Sequence, residues 1–492
     1  MRLTIRWVAL CVLPLLASGS LLLVLPGSST AFLVAASVGA LVGLWALYVL
    51  LRHPPLIRFS NVLGTSLLLG YGLGTVTSAF AEFIFWGRFD PTNNDFHLSY
   101  SQTDISDALM LVTLASAVLF TFSVLELPAF PAKLRLQELT SASAKSLLLV
   151  SAAIVLGAFA VGDLTYMGTA VSATGNITPL GALSSVLGPA LVPLTVLCLS
   201  QESSRSWRMI LLVLLSIFAL ALIPLGRRVL FYSIVSALFA LVSSGKRLTI
   251  RSSRKWLWIG APLVLGFISA GFYLFFALRF AITALGPNYS LSEAITYALS
   301  LLRSDTRDLA TQFAANIASR PFILSYLAGL YAAETTHSPL GGQEVTYATQ
   351  TAIPSAIFHE KAALLPASPE QFVHSALGIP VFDGPNTILT AGLNDFGVIG
   401  ALLYPLALVA VYATVRRLVA GRLPSILYYL VVFRLLYQLL YVEQSLSGML
   451  TVGLRDLALI TLVFLVLRTL FRLRLYRSAP PQSIGNVGPT FH

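Results

Sequence analysis

Long apolar runs constrain this chain more than any other feature of its sequence. A helix needs about 20 mostly apolar residues to cross the hydrocarbon core of a bilayer, and twelve stretches approach that length. They lie at residues 7–25, 31–51, 61–86, 107–126, 146–166, 180–200, 209–225, 228–244, 256–279, 387–413, 425–442 and 447–468. Only 10% of the 492 residues are charged, against about 25% in soluble domains. The pattern predicts an all-α polytopic membrane protein with about 12 transmembrane helices, and excludes a soluble enzyme.

Lysine and arginine positions predict the orientation of these spans. With the N-terminus in the cytoplasm, 21 of the 31 basic residues fall on the cytoplasmic side and eight fall outside, which agrees with the positive-inside rule. Both termini are then cytoplasmic. Orientation and contact with anionic lipids account for the net charge of +11, so no nucleic-acid partner is implied.

The spans and loops divide the chain into four parts. Residues 1–279 form an N-terminal bundle of about nine spans, 280–386 a large extracytoplasmic loop, 387–468 three further spans, and 469–492 a cytoplasmic tail. A loop of 107 residues is expected to carry structure and function of its own. A capping box at Ser290 and Glu293 predicts the start of a helix. Residues 322–334 are apolar enough to lie on, or dip into, the membrane.

Arginines at the outer membrane boundary give the strongest chemical signal. Arg227 and Arg228 stand side by side between apolar spans, and Arg279 ends the ninth span on the same side. Because a guanidinium fork matches phosphate oxygens, three converging arginines predict a diphosphate site. Contact with lipid phosphates, pairing with a loop acid, or anchoring of a helix end would explain the same residues without a substrate.

Three further arginines are candidates for substrate contact. Arg434 lies in the middle of a span, so its helix is expected to face a polar interior. It would form either a structural ion pair with Glu443 or Asp456, or a contact on the substrate pathway. Arg303 and Arg307 are spaced i, i+4 on the predicted loop helix. They would form either a solvated face or a basic stripe that steers anionic lipid-linked glycans.

Candidates for proton transfer lie in the large loop. They are His337, Glu344, His359, Glu360, His374 and Asp383. A base whose pKa lies near the working pH would suit activation of a hydroxyl group. No two of these residues have the spacing of a known catalytic motif. The two cysteines, Cys11 and Cys198, lie alone in apolar runs, so neither a disulfide nor thiol chemistry is predicted.

The stretch DGPNTILTAGLNDFGVIGALLYP at 383–405 carries a resemblance to a family. It resembles the junction at which the large loop of Wzy-type oligosaccharide repeat-unit polymerases, relatives of the O-antigen ligases, re-enters the membrane. The matching residues are Asn386, Asn394, Asp395, Phe396, Gly397 and Gly400. The two glycines are expected to let the tenth span pack closely against a neighbouring helix. Ligases usually carry a histidine just before the asparagine, where this chain has Asp383-Gly384-Pro385, and the difference favours a polymerase.

The resemblance implies a glycosyltransferase of the bacterial inner membrane that needs no metal or cofactor. It would move a growing glycan from a polyprenyl diphosphate onto the terminal sugar of a new lipid-linked repeat unit. Substrate would be bound by Arg227, Arg228, Arg279, Arg303, Arg307, Arg434 and Asn386, and the base would come from His359, Glu360 or Asp383. The lipid bilayer and a chain-length regulator are the implied partners, and the large loop would be periplasmic.

Two other functions remain open at this point. An O-antigen ligase would transfer the glycan to a lipid or protein acceptor. A transporter or flippase for lipid-linked sugars is compatible with twelve spans, although such proteins often show two matched halves. Here the large loop divides the spans nine and three, and no halves correspond.

Overall fold

The structure is a computed structural model that describes most of the chain. The described residues are 2–87, 89–92, 99–130, 139–160, 179–222, 227–245, 291–304, 322–334, 337–353, 357–358, 360–365, 369–379 and 385–455, with isolated positions at 273–285 and 458–466. All regular elements within these residues are helical, as the apolar pattern predicts.

The described part of the first 122 residues forms five α-helices. They are α1 (Arg2–Val24), α2 (Ser29–Arg52), α3 (Phe59–Leu67), α4 (Gly74–Trp86) and α5 (Gln102–Phe122). A π-helical turn at Leu68–Leu73 joins α3 to α4. Helix α5 begins at a capping box in which Ser101 and Asp104 each accept a hydrogen bond from the other's backbone N–H. Helices α1 and α3 pack on α5, where the rings of Trp7 and Phe120 meet edge to face at 5.2 Å.

Four helices continue the bundle around α7. They are α6 (Ala142–Ala160), α7 (Pro179–Gln201), α8 (Arg205–Leu222) and α9 (Arg227–Ser243). Helix α7 packs against the other three. The ammonium group of Lys145 lies 2.8 Å from the Glu202 carboxylate and 4.6 Å from the centroid of the Trp207 ring. This ion pair joins the start of α6 to the end of α7 and the start of α8.

The described residues of the predicted large loop form five shorter helices. They are α10 (Leu291–Ser304), α11 (Phe322–Glu334), α12 (Gln343–Ala352), α13 (Lys361–Leu364) and α14 (Pro369–Leu377). Helix α10 confirms the helix predicted to begin after Ser290. Residues 323–330 of α11 are all buried, and the helix packs on α5. Helix α11 therefore packs inside the protein, and the predicted position of this segment on or in the membrane stays a prediction.

The last part of the chain contains a sharp reversal. It holds α15 (Ile388–Val419), α16 (Ser425–Leu440) and α17 (Leu446–Leu450). Helix α15 is interrupted at Phe396 and at Gly397, which has φ 65° and ψ −153°. Residues eight apart in a straight helix are separated by about 12 Å along its axis. Here a Cβ placed on Gly392 would lie 2.2 Å from the carbonyl oxygen of Gly400.

Residues 388–395 therefore fold back against the start of the long helix 398–419. We call residues 394–397 the corner. Gly397 lies against a neighbouring helix, as predicted, because the Glu334 carboxylate of α11 occupies the place where its Cβ would lie, whereas the prediction is wrong for Gly400. Gly400 instead packs on Gly392 across the corner, and Gly397 supplies the left-handed backbone conformation that glycine adopts without steric cost.

Hydrogen bonds at one end of the bundle join four helices. The Glu126 carboxylate accepts hydrogen bonds from the N–H groups of Phe59 (2.8 Å) and Ser60 (3.0 Å) at the start of α3. The guanidinium of Arg416, near the end of α15, donates to the carbonyl oxygens of Leu127 and Pro128. The Tyr428 hydroxyl, near the start of α16, donates to the carbonyl of Ala129 at 2.8 Å. We call this the basic end, because Arg58, Arg416, Arg417 and Arg422 lie there.

Acidic residues gather at the opposite end. Helix α5 ends at the basic end, so Asp104 and Asp107 at its start lie at the other end. These two carboxylates and Glu334 interact electrostatically with Tyr331, and Glu334 contacts the corner. We call this the acidic end. The separation matches the predicted distribution of charge, and the assignment of the basic end to the cytoplasm stays a prediction.

Within the part of the chain that the structure describes, nine helical stretches coincide with predicted spans. Five are long and apolar enough to cross a membrane: Thr4–Val24, Ser29–Arg52, Phe59–Ile84, Gln102–Phe122 and Ile388–Val419. Four are shorter apolar helices: Ala144–Ala158, Leu187–Gln201, Val229–Ser243 and Ser425–Leu440. These lengths agree with a polytopic membrane protein, and the total of twelve spans stays a prediction. Within Ile388–Val419, the helix 398–419 extends about 33 Å, enough to cross the hydrocarbon core by itself.

Candidate functional site

The corner holds a segment of the large loop by backbone hydrogen bonds. The N–H of Leu340 donates to the carbonyl of Asn394 at 2.8 Å, and the N–H of Gly341 donates to the carbonyl of Asp395 at 2.9 Å. Helix α12 begins two residues later. The start of α12 is therefore fixed to the acidic end by residues about 50 positions further along the chain.

The Asp395 carboxylate completes this attachment. It accepts hydrogen bonds from the N–H groups of Glu344 (2.8 Å) and Val345 (2.9 Å), both in the first turn of α12. It also accepts one from the Tyr404 hydroxyl at 2.6 Å. Asp395 is fully buried. A carboxylate at this position satisfies unpaired helix N–H groups and lies at the positive end of the helix dipole.

Glu344 brings a second carboxyl group to the same place. Its side chain is only 5% exposed, and its Oε2 accepts a hydrogen bond from the Asn394 amide at 2.8 Å. Burial raises the pKa of Glu344 to about 7, the Asn394 hydrogen bond lowers it, and the charges of Asp395 and Glu370 raise it further. A carboxyl group in this setting exchanges its proton near neutral pH, as a general base must.

A second group of hydrogen bonds lies beside the first. The Tyr326 hydroxyl, on α11, contacts Nε2 of His374 on α14 and donates to Oδ1 of Asn386 at 3.3 Å. The next residue, Thr387, shares a 2.8 Å hydrogen bond with the Tyr71 hydroxyl. The rings of Tyr347 and Phe372 stack at 4.7 Å and join α12 to α14. We call the buried residues Tyr326, Glu344, His374, Asn386, Asn394 and Asp395 the polar cluster.

Aromatic contacts connect Arg434 to the start of α9. Arg434 is 4% exposed, and its guanidinium lies 5.3 Å from the centroid of the Tyr437 ring. The Tyr232 ring on α9 meets Tyr437 at 6.3 Å and Tyr441 at 5.6 Å. Because α16 starts at the basic end, Tyr441 lies towards the other end. Helix α9 begins five residues before Tyr232, so its first turn also lies towards the acidic end.

An apolar cavity of about 180 Å³ lies alongside α9. Its walls come from α2, from α3 and the π turn, and from α9. Tyr232, Val235 and Phe239 line it from α9, and position 228 heads the same i, i+4, i+7, i+11 face of that helix. An apolar cavity of about 150 Å³ binds benzene, so this one has room for a short stretch of hydrocarbon chain.

The predicted site residues fall into four groups. Asn386 and Arg434 are buried, Asn386 in the polar cluster and Arg434 beneath the tyrosines. Arg303 and Glu360 are exposed on the surface of the loop helices. The backbone of Arg227 and Arg228 forms the start of α9. The residues that lie outside the described part of the chain are Arg279, Arg307, His359 and Asp383.

The proton-transfer candidates separate in a similar way. Glu344 and His374 belong to the polar cluster, whereas His337 and Glu360 are exposed. Within the described residues, no group of three His, Cys, Asp or Glu side chains is placed to hold a metal ion.

Two residues of this region were missed by the sequence analysis. Tyr326 lies in an apolar run, and the only signal was that a buried tyrosine hydroxyl usually finds a hydrogen-bond partner. Tyr404 lies nine residues after Asp395, a spacing that separates side chains in a straight helix. The corner brings Tyr404 and Asp395 together, and no local sequence pattern predicted this contact.

The raised pKa of Glu344 predicts a pH-dependent cost to stability. Between pH 4.5 and about 7 the unfolded carboxyl ionises while the folded one stays neutral, so the free energy of unfolding falls as pH rises. The shift corresponds to about 3 kcal/mol above pH 7. Glu344→Gln removes this cost. Its unfolding midpoint in detergent should exceed that of the wild type at pH 8, and the excess should shrink towards pH 5.

Glu360→Gln is the matched control because Glu360 is an exposed acid of the same loop. It should show no such pH-dependent difference from the wild type. A Glu344→Gln excess that is the same at pH 5 and pH 8 would mean that the Glu344 carboxyl does not titrate as described.

Comparisons of the chain with protein-family models, with curated proteins and with solved structures give no match. Function is therefore inferred from the polar cluster, the start of α9 and the apolar cavity.

Proposed function

We propose that this protein polymerises polyprenyl-diphosphate-linked oligosaccharide repeat units at the outer face of the bacterial inner membrane. The observation that carries the proposal is the buried Glu344 carboxyl, which has a pKa of about 7 and is held by a loop helix against the re-entry corner. The corner residues Asn394, Asp395 and Gly397 belong to the stretch that resembles the Wzy-type polymerases.

The chemistry needs a base and a stabilised leaving group. The acceptor hydroxyl would give its proton to Glu344 as its oxygen forms a bond to the anomeric carbon of the growing glycan. The bond between that carbon and the diphosphate oxygen breaks, and the diphosphate leaves with the electron pair. Asn394 engages Oε2 of Glu344, so Oε1 would receive the proton.

The lipid end of the substrate would lie along α9. Arginines at the start of this helix would neutralise the charge that develops on the leaving diphosphate, as fixed cations do in other phosphate-binding sites. The apolar cavity beside Tyr232 and Phe239 would hold part of the polyprenyl chain. Arg434 lies one aromatic ring away from Tyr232, which supports its predicted place on the substrate pathway.

Reconstitution with defined substrate tests the proposal. The purified protein in phospholipid vesicles, supplied with polyprenyl-diphosphate-linked repeat units, should produce lipid-linked glycans of two or more units. The rate should rise with pH through about 7, because a base acts in its ionised form. Glu344→Gln should lower the rate about 10²-fold or more, since general-base catalysis contributes 10²–10⁴-fold.

Glu360→Gln is the informative comparison, because Glu360 is the other described acid predicted to act as the base. If Glu360→Gln lost activity and Glu344→Gln kept full activity, Glu360 and not Glu344 would be the base. If vesicles that contain correctly folded wild-type protein produce no elongated glycan, the protein is not a polymerase of these units.

A further inference from the structure

The N-cap residue of α12 provides no side-chain hydrogen bond to the first turn of this helix. Its N-cap residue is Gly342, which has φ 90° and no side chain to accept a hydrogen bond. The N–H groups of Glu344 and Val345 are instead satisfied by Asp395, 50 residues further on. The cap of this loop helix is therefore supplied by the corner of α15.

We propose that Asp395 is the positioning residue of this site: its carboxylate caps α12 across the loop and so fixes the Glu344 carboxyl against Asn394. The inference rests on the proposed function and adds to it the residue that orients the base. Asp395 is fully buried and accepts three hydrogen bonds, from two backbone N–H groups and the Tyr404 hydroxyl, which leaves it no second orientation.

The charge of Asp395 also affects the pKa of Glu344. Asp395 holds its carboxylate beside that of Glu344, and two nearby negative charges oppose each other. Other ionisable groups reach α12 from the elements packed around it. They are Tyr326 on α11, Lys361 on α13, which donates to the carbonyl of Thr351, Glu370 and His374 on α14, Tyr404 on α15, and Arg455 in the π-helical turn Thr451–Arg455 after α17. Asp395 also accepts a hydrogen bond from the backbone N–H of Glu344 itself.

Asp395→Asn tests the proposal in the vesicle assay. The amide keeps the size of the side chain but loses its charge, and its NH₂ group opposes one of the two backbone donors. The rate should fall about tenfold or more at every pH, and the pH midpoint of the remaining activity should move down, because the charge of Asp395 raises the pKa of Glu344. A residue with a purely structural role would lower the rate without moving the midpoint. Asp395→Glu, which keeps the charge, should lower the rate and leave the midpoint in place.

Asp104→Asn is the matched control, because the Asp104 carboxylate also accepts a backbone hydrogen bond at the start of a helix at the acidic end, and its partner there is Ser101 rather than Glu344. Its pH midpoint should equal that of the wild type. A wild-type rate and midpoint in Asp395→Asn would overturn the proposal and leave the polymerase proposal standing. If the Asp395→Asn protein does not accumulate in membranes, the same assay is performed with Tyr404→Phe. It removes one donor from the cap and should slow the reaction several-fold, and an unchanged rate would overturn the proposal.

A second measurement needs no activity. The stability gained by Glu344→Gln at pH 8 should be smaller in an Asp395→Asn background than in the wild type, because the opposing charge is gone. This thermodynamic cycle would give the same result if the protein were not a polymerase, so it separates failure of the two proposals. Equal gains in both backgrounds would show that Asp395 has no influence on Glu344.

Discussion

Alanine at Arg227, Arg228 or Arg279 is expected to leave cells with single repeat units in place of polymer. Each guanidinium would donate paired hydrogen bonds to a diphosphate that gains charge as it leaves, and removal of one such donor typically costs 10²–10³-fold in rate. Lysine should rescue poorly at each position, because a point charge lacks the planar fork. The measurement is the length distribution of the glycan, taken at matched protein levels.

Arg422→Ala is the control for this series, because Arg422 is an exposed arginine at the basic end. It should give the wild-type length distribution. Wild-type length distributions from all three alanine variants, each present at the wild-type protein level, would show that α9 and the ninth span do not form a diphosphate site.

Alanine at Gly392 should prevent accumulation of folded protein. A Cβ at this position would lie 2.2 Å from the carbonyl oxygen of Gly400 and 2.4 Å from its carbon, and both atoms belong to rigid helical backbone. An extra methylene in a well-packed core typically costs about 1–3 kcal/mol, and the cost is expected to be larger here because the two backbone segments that meet at Gly392 and Gly400 would have to move apart. The measurements are the yield from membranes and the unfolding midpoint in detergent.

Gly19→Ala provides the comparison. Gly19 also lies within a helix, but a Cβ there would meet no atom within 4 Å. Helix propensity alone then favours alanine by up to about 1 kcal/mol. A Gly392→Ala protein that is as abundant and as stable as Gly19→Ala would mean that the two halves of α15 do not approach as described.

Hydropathy predicted the helices of this chain well and the corner poorly. Apolar runs revealed α1, α2, α5 and α16, because the bilayer requires about 20 apolar residues whatever their order. The reversal at Gly397 depends on one left-handed residue within an apolar run, and the hydropathy of residues 387–413 is that of a single continuous span. The pattern therefore indicated small residues for packing, but not which surfaces they bring together.

The candidate site was predictable in its residue types and not in its grouping. Glu344 and His374 were among the loop acids and histidines, and Asn386 was selected from the junction stretch. Their assembly depends on Asp395, which caps a helix about 50 residues earlier, and on Tyr326, which belongs to a helix buried against α5. Contacts of this range follow from the tertiary fold, so spacing along the chain carries no signal for them.

The glycan made by cells that lack this protein tests the central claim most directly. A polymerase is required only for elongation, so the account predicts that these cells carry acceptors capped with one repeat unit. Polymer that accumulates on the lipid carrier beside undecorated acceptors would indicate a ligase. Lipid-linked units retained on the cytoplasmic side would indicate a flippase. Either of the last two results would contradict the account.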